Sequence, residues 1–202
     1  MSYRWQETIK ILIPGFYILI CVGLECLITY EQIDKDFIDL IGKISAVLII
    51  LMFFTAFVVG YINEIISSII ELILYKIGLP RPSRLVLNNK IKRFRIVRND
   101  ELRQKLDIMP PTLMVDNSLA AISLAKAKQA TESDKYQELY YQSVLARNLC
   151  FAHLVSCILL LYVSDCPLML LILCFPSPIL FCWQWWKMNL VYVKKIFLEY
   201  LK

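Results

Sequence analysis

Six polar side chains interrupt apolar stretches of this chain that are long enough to lie in a membrane. They are Asn63, Glu64, Glu71, Arg147, Asn148 and His153. Together with Ser67 and Ser68, the first three recur at helical spacing and share one stripe of a helix. An ionisable group at membrane depth is costly unless it meets an opposite charge or water. One alternative is a structural ion pair between Glu64 and Arg147 within one chain. The other is that the six groups line the pore, near the gate, of an oligomeric channel.

The second group of candidates is the basic stretch 81–105, whose only acids are Asp100 and Glu101. Clustered lysine and arginine side chains attract the phosphates of nucleotides, RNA or anionic lipids. The alternative is that the stretch only touches lipid headgroups on the side of the membrane where basic loops accumulate. The candidate ligand-binding residues are Arg84, Lys90, Lys92, Arg93, Arg95 and Arg98.

Few other residues in the chain are of the types that catalysis or metal binding requires. The seven cysteines form no C-x-x-C pair and there is one histidine, so we expect neither a metal site nor a cofactor. The chain has no glycine-rich phosphate loop, which argues against a nucleotide hydrolase, and we expect no enzymatic activity. Cys26 and Cys166 fall near the same face of the membrane. They form a disulfide or remain free thiols, and free thiols are the favoured alternative.

Four apolar stretches must position these candidates. The chain is 58% hydrophobic, against about 45–50% for a soluble domain, and roughly 17–20 apolar residues span a bilayer as a helix. The predicted spans are 11–29, 44–62, 147–164 and 168–186. The predicted fold class is therefore an all-α integral membrane protein with four transmembrane helices in two hairpins. In the fourth span, Pro176 and Pro178 predict a kink or a break.

The second and third transmembrane helices are predicted to continue beyond the membrane. Apolar periodicity persists after residue 62 and is present again before residue 147, so residues 63–146 are predicted to form a small helical cytoplasmic unit. Gly78 and Pro80 are predicted to end the long second helix.

Cap and turn signals divide this unit further. Asn99 is predicted to cap a short helix over residues 100–106, and Asp116 is predicted to start a helix that runs through residue 130. Residues 90–97 fit either short strands around residues 88–89 or a basic helix, because their periodicity does not distinguish the two.

Both chain ends are predicted to lie at the membrane–water interface. Residues 1–10 form an amphipathic lead, and residues 187–202 set apolar side chains against lysines, which is typical of a helix on a membrane surface. Trp183, Trp185 and Trp186 are predicted to form an aromatic belt at the inner end of the fourth span.

The distribution of charge predicts the orientation in the membrane. Basic residues concentrate in the stretch 81–105 and in the C-terminal tail, whereas the link 30–43 is acidic. The positive-inside rule then places both termini and the unit 63–146 in the cytoplasm.

The segment Arg147-Asn148-Leu-Cys-Phe-Ala-His153 resembles the Arg-Asn…His motif of HEPN ribonucleases. In a continuous helix Arg147 and His153 lie about 120° apart, so they do not converge within one subunit. The resemblance implies a membrane-bound ribonuclease, which is one alternative function.

The layout of four spans with a basic cytoplasmic unit resembles small membrane effectors and accessory proteins of bacterial antiphage systems. Some of these work with nucleotide-signalling enzymes, and others belong to RNA-targeting CRISPR loci. The resemblance implies a homo-oligomer in the bacterial cytoplasmic membrane, with a cyclic nucleotide, an oligonucleotide or a defence-system protein as its partner. The expected function is a channel-like or membrane-disrupting effector that an anionic signal gates. The alternative is a non-conducting scaffold that recruits a soluble partner.

Overall fold

The computed structural model describes residues 3–29, 45–109, 113–131, 136–163 and 176–202. Over these ranges the chain is helical, without a β-strand, which confirms the all-α prediction and removes the strands considered around residues 88–89. The helices are α1 Tyr3–Thr29, α2 Ser45–Ile77, α3 Pro82–Leu87, a 3₁₀ turn Lys92–Phe94, α4 Asn99–Lys105, α5 Asn117–Ala130, α6 Gln137–Val163 and α7 Pro176–Tyr200.

Three of the described helices are long and apolar enough to cross a membrane. The candidate spans are Trp5–Gly23 in α1, Val47–Ile77 in α2 and Gln137–Leu159 in α6. They confirm the apolar helices predicted over the first three spans. Residues 168–175 of the fourth predicted span lie outside the described residues, and that span remains a prediction. Pro176 and Pro178 lie in the first turn of α7, where proline is well tolerated because the first helical N–H groups need no partner within the helix.

α2 is one continuous helix, as predicted. Its 33 residues extend about 50 Å at 1.5 Å per residue, which exceeds the roughly 30 Å hydrocarbon core of a bilayer. The helix ends at Gly78, whose φ of 122° lies in the left-handed region that glycine adopts at helix ends without steric cost.

The chain divides into two compact units. Unit 1 comprises Met1–Ser68 and Val144–Trp183, and unit 2 comprises Ile69–Ser143 and Gln184–Lys202. α2, α6 and α7 each contribute residues to both units.

In unit 1, α1 packs antiparallel against the first part of α2. Phe16 stacks edge-to-face on Phe53, with ring centroids 4.9 Å apart. At Gly15, the residue before Phe16, the backbones themselves come into contact. A Cβ atom on Gly15 would lie 2.7 Å from the carbonyl carbon of Ala56 and 2.9 Å from the nitrogen of Gly60. Small residues four apart on α2 allow this approach, as is usual where membrane helices cross closely.

Unit 2 has its own apolar core, to which the C-terminal part of α7 contributes Leu190, Val193, Ile196 and Phe197. These side chains were expected to lie on the membrane surface as part of an amphipathic tail. The structure instead packs them against α3, α4 and α5, with Phe197 fully buried. Trp185 is also buried and so does not face lipid in the predicted aromatic belt. The apolar face of an amphipathic helix can be buried against either protein or lipid. In unit 2 it is buried against protein.

Asparagine side chains fix the loops of unit 2. The amide of Asn88 both accepts from the nitrogen of Val115, at 3.1 Å, and donates to the carbonyl of the same residue, at 2.9 Å. Asn99 is the first residue of α4 and not its cap, because Arg98 occupies the N-cap position. The buried Asn99 side chain instead donates to the carbonyl of Leu87. Asp116 caps α5 as predicted, because its carboxylate accepts from the nitrogen of Leu119 at 2.7 Å.

Candidate functional site

A buried cluster of polar side chains joins three helices of unit 1, and its centre is Asn148 on α6. The Asn148 side chain accepts from the Ser67 hydroxyl at 2.8 Å and donates to the Lys10 carbonyl at 3.2 Å. Its own backbone carbonyl accepts from the Asn63 amide at 2.9 Å. Asn148 has no solvent-exposed surface. The cluster therefore links α1, α2 and α6 through one amide side chain.

Glu64 completes the cluster through an ion pair with Lys10. The Lys10 ammonium lies 3.0 Å from the Glu64 carboxylate, and the two side chains are 15% and 20% exposed. In one of the two alternatives from the sequence the partner of Glu64 was Arg147, whereas the ion pair in the structure joins Glu64 to Lys10. Lys10 lies at the same level of the bundle because α1 and α2 run antiparallel from their crossing at Gly15 and Gly60.

Of the remaining gate candidates, Arg147 also lies beside Asn148, whereas His153 and Glu71 have other partners. Arg147 is buried, and its guanidinium lies 3.4 Å from the side-chain oxygen of Asn148. His153 hydrogen-bonds through Nδ1 to the Tyr17 hydroxyl. Glu71 belongs to unit 2, where it accepts from the Tyr75 hydroxyl at 2.9 Å. Of the six predicted gate residues, Asn63, Glu64, Arg147 and Asn148 meet in one place.

These contacts hold α1, α2 and α6 together within one chain. Buried polar groups that satisfy one another hold apolar helices in a single register, because any other register leaves them unpaired. The contacts also occupy the groups that a HEPN-like site would need. Asn148 is fully buried, and the Nδ1 atom of His153 bonds to Tyr17, so both side chains are engaged within the chain in the described conformation.

We expect the Lys10–Glu64 pair to stabilise unit 1 measurably. Lys10→Met or Glu64→Gln alone removes one partner of a partly buried ion pair, whereas the double variant removes both charges. The expected coupling energy in a double-mutant cycle is about 1–3 kcal/mol, read from unfolding midpoints in detergent. The matched cycle at the exposed pair Arg98–Glu101 should show little coupling. Equal coupling in both cycles would contradict the assignment.

A second candidate site lies in unit 2, on the segment between α3 and α4. Lys90, Lys92, Arg93 and Arg95 are exposed, and among the described residues none of the four forms an ion pair. A fifth cation joins them from α7, where the Lys194 ammonium donates to the carbonyl of Arg93 at 3.4 Å. We call these five residues the cationic surface. A patch of five cations that have no carboxylate partner among the described residues attracts anions from solution.

The other two predicted ligand residues have different roles. Arg84 is partly buried and donates through Nε to the carbonyl of Val115 at 3.1 Å, so it supports a loop. Arg98 pairs with Glu101 on the next turn, and this pair lowers the pKa of Glu101 chiefly through their hydrogen bond. Both arginines are therefore engaged within the protein and contribute less to an anion site than the four exposed cations.

Sequence reasoning missed several residues of these sites. Lys10 was assigned as a flank of the first span, and Tyr17 carried no signal because its partner lies on a distant helix. Lys194 was assigned to a membrane-surface tail. The close helix crossing did have a signal, since Ala56 and Gly60 form the small-x-x-x-small spacing that allows membrane helices to approach.

Among the described residues, no group of three or more His, Cys, Asp or Glu side chains could hold a metal ion. Cys26 and Cys166, for which the sequence left a disulfide as the less favoured alternative to free thiols, fall outside the side chains that the structure describes. Cys21, Cys150, Cys157 and Cys182 are free thiols.

Comparisons of the chain with protein-family models, with curated proteins and with solved structures gave no match.

Proposed function

We propose that the protein is an integral membrane receptor for an anionic ligand, and that the cationic surface of unit 2 is the binding site. The observation that carries this proposal is the placement of Lys90, Lys92, Arg93 and Arg95 on one short exposed segment without ion pairs, with Lys194 beside them. Cations that only balanced the charge of the fold would be expected to lie near carboxylates, as Lys126 lies near Asp107.

The proposed setting is the cytoplasmic membrane of a bacterium, with four spans and with both termini and unit 2 in the cytoplasm. The excess of lysine and arginine in residues 81–105 supports this orientation through the positive-inside rule. The directions of the helices in unit 1 are compatible with it, because α1 and α2 run antiparallel, as consecutive spans must.

The proposed ligand carries phosphate groups, as a cyclic nucleotide or an oligonucleotide does. Arginine and lysine side chains bind phosphate through charge-assisted hydrogen bonds. The layout that resembles antiphage membrane effectors favours a signal of this class, and a defence-system protein with an acidic surface is the other partner considered. Several cations on one segment fit a ligand with more than one phosphate.

Removing two charges from the cationic surface should weaken binding selectively. The probe is a fluorescein-labelled single-stranded oligonucleotide, titrated by fluorescence anisotropy against the full chain in detergent. Arg93→Gln/Arg95→Gln is expected to raise Kd about tenfold or more at low salt, and to flatten the dependence of Kd on salt.

The control is Lys126→Gln/Lys202→Gln, which changes the net charge equally. Both of its lysines already have carboxylate partners, Asp107 and Glu199. The control is expected to leave Kd within about twofold. Equal weakening by both variants would show that net charge, and not this site, determines binding.

A second candidate function is that of a channel-like effector that opens when the ligand binds. The observation that favours it is the retention of Lys10, Glu64 and Arg147 inside an apolar bundle. Ionisable groups at membrane depth often mark paths for ions or protons. In the described conformation these groups pair within the chain, so conduction would require α1, α2 and α6 to separate and water to replace their bonds.

Ion flux from liposomes containing the full chain distinguishes the two functions. A channel-like effector should release a trapped cation when the oligonucleotide is added, and Lys10→Met/Glu64→Gln should change the basal leak. Binding without flux would leave the non-conducting scaffold as the function.

A further inference from the structure

Two thiols meet between α6 and α7 in unit 1. Cys150 on α6 is 5% exposed, and its thiol donates to the carbonyl of Pro178 on α7 at 3.3 Å. Residues 178 and 182 lie one helical turn apart, so the face of α7 that contacts Cys150 also carries Cys182.

The surroundings of Cys182 differ from those of Cys150. Cys182 is exposed, and its neighbours Ile179, Leu180 and Trp183 on α7 are 60–66% exposed. An apolar helix surface of this kind is covered by lipid when the helix lies in a membrane. A small apolar oxidant dissolved in the bilayer could therefore reach Cys182, and the buried Cys150 would be the thiol next to it.

We propose that Cys150 and Cys182 form a reversible disulfide, and that a lipid-soluble quinone accepts the electrons. This inference uses the membrane placement of α7 from the proposed function. The two S–H bonds break and one S–S bond forms. Two electrons and two protons pass to the quinone, which becomes a quinol. The bond requires little movement, because the Cys150 thiol already contacts the carbonyl of Pro178, one helical turn before Cys182, and disulfides form where Cβ atoms approach within about 4.5 Å.

The consequence is a covalent link between α6 and α7. In the reduced protein the helices meet at this level through the weak hydrogen bond of Cys150 to the Pro178 carbonyl and through the ring contact of His153 with Phe181. A disulfide would hold the two helices at fixed separation next to the polar cluster, whose central residue, Asn148, lies two residues before Cys150. The redox state of the membrane would then determine whether these helices can part.

The first experiment tests the pair without a membrane. The full chain carries Cys26→Ser and Cys166→Ser, which exclude the alternative Cys26–Cys166 disulfide that the sequence analysis considered. It is oxidised with diamide in detergent, unfolded and alkylated with N-ethylmaleimide, and the alkylated thiols are counted by intact mass. We expect a loss of two thiols that dithiothreitol reverses.

Two further variants identify the thiols. Adding Cys182→Ser should abolish the loss, and this exposed position tolerates serine without disturbing the bundle. Cys21→Ser is the control, because Cys21 lies on α1 and not on α6 or α7. In this variant diamide should still remove two thiols. Loss of two thiols in the Cys182→Ser variant, or no loss in the parent, would overturn the pairing.

The second experiment tests the oxidant. The same protein in lipid vesicles is incubated with a short-chain ubiquinone analogue, and quinol formation is followed by absorbance. We expect one quinol per protein and the same loss of two thiols. If diamide oxidises the pair in detergent but the quinone leaves it reduced in vesicles, the electron acceptor and the lipid exposure of Cys182 are wrong, and the pairing itself stands.

Discussion

Replacing Gly15 with alanine is expected to destabilise unit 1 by about 2–3 kcal/mol, the cost of forcing atoms into a packed interface. The added methyl group would overlap the carbonyl oxygen of Ala56, and it would lie 2.9 Å from the nitrogen of Gly60. These are backbone atoms, which cannot rotate away as a side chain can. α1 and α2 must therefore move apart and lose the packing between them. The readout is the midpoint of thermal or dodecyl sulfate unfolding in detergent, followed by circular dichroism.

Gly23→Ala on the same helix is the matched control. A Cβ atom at Gly23 meets nothing within 4 Å, and alanine in a helix is favoured over glycine by about 1 kcal/mol. The two substitutions should therefore change the free energy of unfolding in opposite directions, although they make the same chemical change in the same helix. If Gly15→Ala stabilised the protein as Gly23→Ala is expected to, α1 and α2 could not cross as described.

The second large effect is expected at Asn148. Asn148→Leu keeps a similar volume but removes the acceptor of the Ser67 hydroxyl and the donor to the Lys10 carbonyl. Leucine also takes away the oxygen that lies 3.4 Å from the guanidinium of Arg147. We expect a loss of about 1–3 kcal/mol in unfolding free energy, measured in the same detergent assay.

Two comparisons make this prediction specific. Asn189→Leu makes the same change at a position whose side chain forms no hydrogen bond within the described residues, and it should cost little. Combining Asn148→Leu with Ser67→Ala should cost less than the sum of the single variants, because both remove one hydrogen bond. Strict additivity would mean that Asn148 does not bind Ser67.

The helices were predictable because their signals are local. The uncharged run after Ser45 predicted the apolar helix α2, Gly78 predicted its end, and Asp116 predicted the start of α5. Each signal depends on a few neighbouring residues and on period 3.6, and does not require knowledge of any partner. The polar stripe of Asn63, Glu64 and Ser67 was recognised for the same reason.

The partners were not predictable, because they depend on which helices lie side by side. The sequence analysis considered only Arg147 as an ion-pair partner of Glu64, because nothing in the spacing of residues places Lys10 beside Glu64. The apolar face of residues 190–197 fits lipid or protein equally well. Lys194 joined the cationic surface only because α7 packs into the core of unit 2. These contacts are settled by the tertiary packing of whole elements, which no single segment encodes.

Binding of the labelled oligonucleotide to sealed membrane vesicles tests the central claim most directly. Inside-out vesicles expose the cytoplasmic side, and right-side-out vesicles expose the opposite one. A membrane receptor with a cytoplasmic cationic surface should bind the probe in inside-out vesicles only, and Arg93→Gln/Arg95→Gln should remove that binding. Binding confined to right-side-out vesicles, or binding that the double variant leaves unchanged, would contradict the account.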